Sequence, residues 1–155
     1  MTASEFSVSL ARAAALAADE KRAKEIAVID VSDQMVITDC FVIASADNER
    51  QVSAVVDEIE DKLRELGAKP VRREGVREGR WVLLDYGNLV IHIQRNEERE
   101  FYALDRLWRD CPLIDIEGIE TPVRPKAWER DVDVRNVSSI DQIPLADHEP
   151  DADEL

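Results

Sequence analysis

The sequence predicts an α/β domain, a mixed sheet flanked by helices in two or three layers. Three observations carry this. IAVIDV (26–31) and CFVIAS (40–45) are too short for helices, rich in Val and Ile, and apolar almost throughout, the pattern of strands covered on both faces. Val52, Val55, Val56, Ile59, Leu63 and Leu66 instead recur at intervals of three and four, which marks a helix with one buried stripe. The two patterns interleave along the chain, placing helices before, between and after the strands.

The elements follow in order. Residues 4–24 form a first helix with Leu10, Ala14 and Ala17 on one face and Ala13 beside them. Thr2 and Glu5 have capping-box spacing, and Ser4 competes for the cap. The connection SDQMVITD separates the two buried strands. The second helix starts after Asn48, which has capping-box spacing with Gln51, and stops at Gly67. KPVRREG then reads as a shorter, exposed strand. RWVLLDYGNLVIHIQ gives two strands, 80–84 and 89–93, around a DYGN turn in which Gly87 accepts positive φ at low cost. A third helix spans 97–109, with Phe101, Leu104 and Trp108 as its stripe, and Pro112 ends it.

The 155 residues suit one domain, residues 1–120, with an appendage, residues 121–155. The last nine residues hold five carboxylates and no Lys or Arg, so the extension is expected to be disordered or loosely packed. With 34 acidic and 20 basic side chains the net charge is -14. Such a field opposes bare nucleic acid and speeds encounter with a basic partner, although solubility alone would also account for it. Cys40 and Cys111 are the only cysteines. They build neither a disulfide framework nor a metal motif, and Cys40 is expected to be buried. The N-terminus lacks the pattern of a signal peptide, and no stretch has the apolar length of a membrane span. A cytoplasmic protein is the expectation.

Catalytic motifs are scarce. The sequence has no Gly-rich phosphate loop, no Gly-x-Ser-x-Gly elbow and no paired histidines on a helix. His148 lies in the acidic tail, and His92, among apolar neighbours on a strand, reads as a structural or interface residue. Asp30, Asp39 and Asp85 sit at strand ends or adjoining turns. Gathered at one sheet edge they would hold divalent ions and assist nucleotidyl transfer; the simpler reading is that turn aspartates bond to backbone N–H groups. No catalytic residue, cofactor or metal is expected. Trp81, Tyr86, Phe101 and Tyr102 offer large contact area. Phe101 reads as core and Tyr86, in a polar turn, as the better contact candidate, while Trp81 suits either place.

Several segments, in order, resemble the ribosomal silencing factor family, also called the Iojap family. They are IDVSDQMVITDCFVIASADNERQV, EG, GRWVLLDYGNLVIHI, REFYALDRLW and DCP, spread over roughly 5–115. The resemblance implies a domain like the nucleotidyltransferase fold without its catalytic motif. It implies binding to the fourteenth protein of the large ribosomal subunit, steric exclusion of the small subunit, and repression of translation when nutrients are scarce. Large-subunit assembly is the alternative, by analogy with organellar relatives, and a metal-dependent nucleotidyltransferase-like enzyme is the other. The residues matching family motifs, hence candidate partner contacts, are Trp81, Asp85, Tyr86, Asn88, His92, Tyr102, Arg50 and Gln51. Little direct RNA contact is expected, and the free protein is expected to be able to pair with a second copy. Asn88 stands where the family usually has Asp, Ala46 where Gly is common, and Gln94 where an apolar or aromatic residue is common.

Overall fold

The computed structural model describes residues 2–130. Residues through Val123 form one compact unit. The remaining described part, taken by itself, is a 3-10 turn at Lys126–Arg130. The acidic end of the expected extension lies outside the described residues.

Helix α1 spans Glu5–Glu20. Ser4 wins the competition for its cap, accepting a hydrogen bond from the Ser7 N–H at 3.1 Å. The helix stops four residues before the expected 24. Arg22 takes φ +64°, so that its N–H reaches the Asp19 carbonyl and the Ala23 N–H reaches that of Ala18. This paired closure satisfies the last carbonyls and turns the chain out of the helix. Strand β1 (Lys24–Asp30) follows directly, then β2 (Cys40–Ala46), buried along its whole length.

Helix α2 runs Glu49–Glu65, capped by Asn48. Gly67, at φ +84°, ends it through the same closure: its N–H donates to Arg64, and the Ala68 N–H to Leu63. Three strands complete the sheet: β3 (Arg72–Glu74), β4 (Trp81–Asp85) and β5 (Leu89–Arg95). The strand order is β1-β2-β5-β4-β3. Only the central β2–β5 pair is parallel.

The alternation of side chains divides the sheet into two faces. One carries Ile26, Val28, Val42, Ala44, Val82, Leu84, Ile91 and Ile93, packed under Leu10, Ala14 and Ala17 of α1 and Val52, Val56, Ile59 and Leu63 of α2. The other carries Ala27, Ile29, Phe41 and Ile43, covered by Trp108, Cys111 and the half-buried Leu104, Leu107 and Leu113. The two cysteines are buried in different layers, and burial pushes the Cys40 thiol up to about 12. Residues 112–114 run along the outer edge of β1, where Ile114 N–H donates to the Val28 carbonyl at 2.7 Å.

The expected single helix over 97–109 is broken. Helix α3 covers Asn96–Tyr102, Ala103 adopts φ +44°, and a short α4 covers Leu104–Leu107. The break allows two contacts that a straight helix forbids. Arg99 reaches Asp105, six residues on, at 3.2 Å; in a continuous helix these would point about 120° apart. Trp108 turns edge-on to Phe41, with ring centroids 5.1 Å apart. Those contacts offset the cost of a left-handed alanine.

Candidate interaction face

The second sheet face is covered above β1 and β2 but not fully above β4 and β5. The β4–β5 register sets Trp81 opposite Gln94, Leu83 opposite His92 and Asp85 opposite Val90. These six side chains share the incompletely covered face. Trp81, Leu83, Asp85 and Val90 are half-buried, and Tyr102 at the end of α3 is 38 % exposed. The sequence reading missed Leu83 and Val90. The signal was present, since each stands two residues along a strand from a residue already singled out.

His92 is buried and organises this face. Its Nδ1 accepts a hydrogen bond from Trp81 Nε1 at 3.0 Å, and Phe41 meets the ring edge-on at 5.7 Å. An accepting Nδ1 fixes the neutral tautomer with the proton on Nε2. Burial reinforces this by holding the imidazole down to about 4. Trp81 in turn packs on Tyr102 at 4.9 Å, and Tyr102 on Phe101 at 4.9 Å. A connected series of rings therefore runs from Trp108 in the core to Tyr102 at the surface.

Tyr86 corrects the sequence reading. Its ring packs against the helix-covered core, its hydroxyl is buried, and burial pushes that hydroxyl up to about 12. Trp81 is therefore on the incompletely covered face and Tyr86 on the opposite one. Phe101, expected in the core, is only half-buried.

The other candidates disperse. Asp85 accepts from the Gly87 N–H at 2.8 Å, holding the hairpin turn, and lies 3.7 Å from Arg72. Asn88 donates through Nδ2 to Ser7 Oγ at 2.9 Å. Gln51 accepts from the Asp47 N–H and donates to the Lys21 and Arg22 carbonyls, tying the end of α1 to the start of α2. Arg50 is exposed in the first turn of α2.

Asp30 and Asp39 are occupied by the start of α1. Asp30 accepts from the Ala3 and Ser32 N–H groups and from Ser32 Oγ. Burial alone would raise its carboxyl, but those hydrogen bonds outweigh it and lower the pKa. Asp39 accepts from Ser7 Oγ at 2.6 Å, a bond that lowers its pKa. The carboxylates thus serve backbone and hydroxyl donors, the simpler of the two readings. Among the described residues no group of three His, Cys, Asp or Glu is placed to hold a metal ion. No helix among them is long and apolar enough to cross a membrane.

Residues 4–141 match the model of a family described as "Ribosomal silencing factor during starvation". The chain belongs to the ribosomal silencing factor family. The match runs past 120, where the sequence reading ends the family domain. The chain is 38% identical over 109 residues to "Ribosomal silencing factor RsfS" of Bacillus subtilis, covering 70% of this chain and 92% of that one. It is 35% identical over 92 residues to "Mitochondrial assembly of ribosomal large subunit protein 1" of Mus musculus, covering 57% of this chain and 40% of that one. An X-ray structure of a Chromobacterium violaceum protein superposes with a TM-score of 0.64 at 27% identity, covering 74% of this chain and 93% of that one. Family membership gives the chain a regulatory role connected with the ribosome and sets it among non-enzymatic proteins.

Proposed function

We propose that this chain is a cytoplasmic repressor that docks on the fourteenth protein of the large ribosomal subunit through the β4–β5 face and bars the small subunit from joining. The observation that carries the reading is the half-buried Trp81, held in one orientation by the buried His92 and backed by Tyr102. Interfaces are anchored by rigid, well-packed aromatic side chains of this kind. Leu83 and Val90 supply apolar area beside it, and Asp85 a charge at the rim. Steric exclusion needs affinity and placement, and no bond-making step.

A second reading, assembly of the large subunit, is favoured by the mitochondrial relative's name. It requires the same docking, so one experiment tests the shared step. Trp81→Ala is titrated against the isolated ribosomal protein, with circular dichroism to confirm the fold. Loss of an anchor costs about 2 kcal/mol or more, roughly thirtyfold in affinity. Binding within about twofold of the parent would remove Trp81 from the interface. Subunit-joining assays then separate repression from assembly.

A further inference from the structure

The segment Lys69–Arg80 reverses the charge of the chain around it: it holds five basic and two acidic side chains in a protein of net charge -14. Within it, β3 is the outermost strand, paired among the described residues only with β4, and all three of its residues are exposed. The side chains of Arg72 and Arg80 are 60% and 64% exposed. Their carboxylate partners, Asp85 at 3.7 Å and Glu98 at 3.8 Å, are at the long end for ion pairs. Pairs this long, with the guanidinium end exposed, contribute little. Arg73 pairs more closely, with Glu60 at 2.9 Å. Among the described residues, the ion pairs of this edge leave out Lys69 and Arg77.

The turn that carries Arg77 packs closely on its neighbours. Gly79 N–H donates to the Gly75 carbonyl at 3.0 Å, and both glycines have positive φ. A Cβ on Gly75 would collide with the Trp81 carbonyl, and one on Gly79 would lie 3.2 Å from Glu49 Cβ. The basic edge is therefore fixed against the first residue of β4, the same Trp81 that anchors the proposed docking face. Residues 69–80 contain no aromatic side chain, so no ring there stacks on a base. Exposed guanidinium and ammonium groups suit phosphate contact, which is independent of base sequence.

We propose that this edge, Lys69–Arg80, contacts RNA phosphates of the large subunit while the neighbouring β4–β5 face holds the ribosomal protein. The proposal rests on docking to the large subunit, and narrows the expectation of little RNA contact to this one edge. Such contacts release counterions and make binding salt-dependent.

The test uses the full chain with Lys69→Gln, Arg77→Gln and Arg80→Gln combined; Arg72 is left in place because it faces Asp85. Affinity is measured for purified large subunits and for the isolated ribosomal protein between about 0.05 and 0.2 M salt. For whole subunits the slope of log affinity against log salt should fall by roughly 0.7 for each phosphate that is no longer neutralised, about 2 in all. Affinity for the isolated protein should stay within twofold. Arg77→Gln alone, with a slope change of about 0.7, serves if the triple variant does not fold. Equal weakening on both partners would make the edge a protein-binding surface, and no change on either would make it idle; both overturn the proposal. A parent chain that fails to bind large subunits would overturn the docking reading and this proposal together. A reduced salt slope with Trp81→Ala still at parental affinity would leave the edge standing and remove the anchor.

Discussion

Asp39 gathers the start of α1 onto the sheet, and its charge can be removed without changing its shape. Asp39→Asn keeps an acceptor oxygen for Ser7 Oγ, now 2.6 Å away, for Ser4 Oγ at 3.1 Å and for the Ser4 N–H at 3.4 Å. It loses the charge assistance. Hydrogen bonds to an ionised group contribute about 1.5–3 kcal/mol and neutral ones about 0.5–1.5. Both Ser4 contacts are longer and exposed, so the short, partly buried Ser7 bond carries most of the difference. The expected loss is about 1–2 kcal/mol, or roughly 4–8 °C in melting temperature for a domain of this size. The pH dependence gives a second readout. The folded pKa of Asp39 lies below its ordinary 3.8, chiefly through the Ser7 hydrogen bond. A depressed carboxylate contributes stability above its unfolded pKa and loses it as pH falls through the folded value. In urea titrations the gap between parent and Asp39→Asn should therefore be full at pH 7 and close below about pH 4. A variant as stable as the parent at pH 7 would refute the reasoning. So would a gap that persists unchanged in acid, because the loss would then come from packing and not from charge.

Other outcomes follow from particular side chains. Gln94 is fully buried on β5 and its amide has no hydrogen-bond partner among the described residues; Gln94→Leu should raise stability by about 1–3 kcal/mol in chemical denaturation, and a loss of stability would show that the amide is satisfied. Gly75→Ala drives a methyl into the Trp81 carbonyl, whereas Gly87→Ala meets open space at a similar φ. The first should cost clearly more than the 1–2 kcal/mol of a left-handed alanine, and equal losses in a thermal comparison would contradict the crowding. Among the described residues the core clusters around the sheet end at Ile119, so a chain ending at Val123 should still unfold cooperatively by circular dichroism.

Strong periodicity made most of the fold legible. The stripe of α2 from Val52 to Leu63, its Asn48 cap and its Gly67 stop stand in the sequence as they do in the structure, because each depends on residues within a turn or two, while Leu66, expected in the stripe, is the C-cap and is exposed. The break at Ala103 was hidden, since alanine favours continuing a helix and the compensation comes from distant partners, Phe41 for Trp108 and Ser45 for Arg99. Arg22 concealed the end of α1 for the same reason: nothing local marks an arginine for a left-handed conformation. At the candidate face, Tyr86 was misjudged from the polar turn around it. Extending the strand alternation one residue past Asp85 would have turned its ring toward the helices. The three aspartates could not be separated by spacing alone, because their partners, Ala3, Ser7 and Gly87, are chosen by tertiary geometry or by the turn.

The parallel pairing of β2 with β5 also bears on how the chain forms as it is made. Cys40 is registered against Leu89 and Ala46 against Arg95, so the centre of the sheet joins segments about fifty residues apart. Until β5 is synthesised, β2 has only β1 as a neighbour and its other edge is open, a largely apolar strand with unpaired backbone groups. At synthesis rates of about 5–20 residues per second this interval lasts roughly 3–10 s. During it α1 and α2 can already screen one side of the nascent β1–β2 ribbon, while the other side waits for Trp108. A regulator of ribosomes thus spends its most aggregation-prone seconds still attached to one.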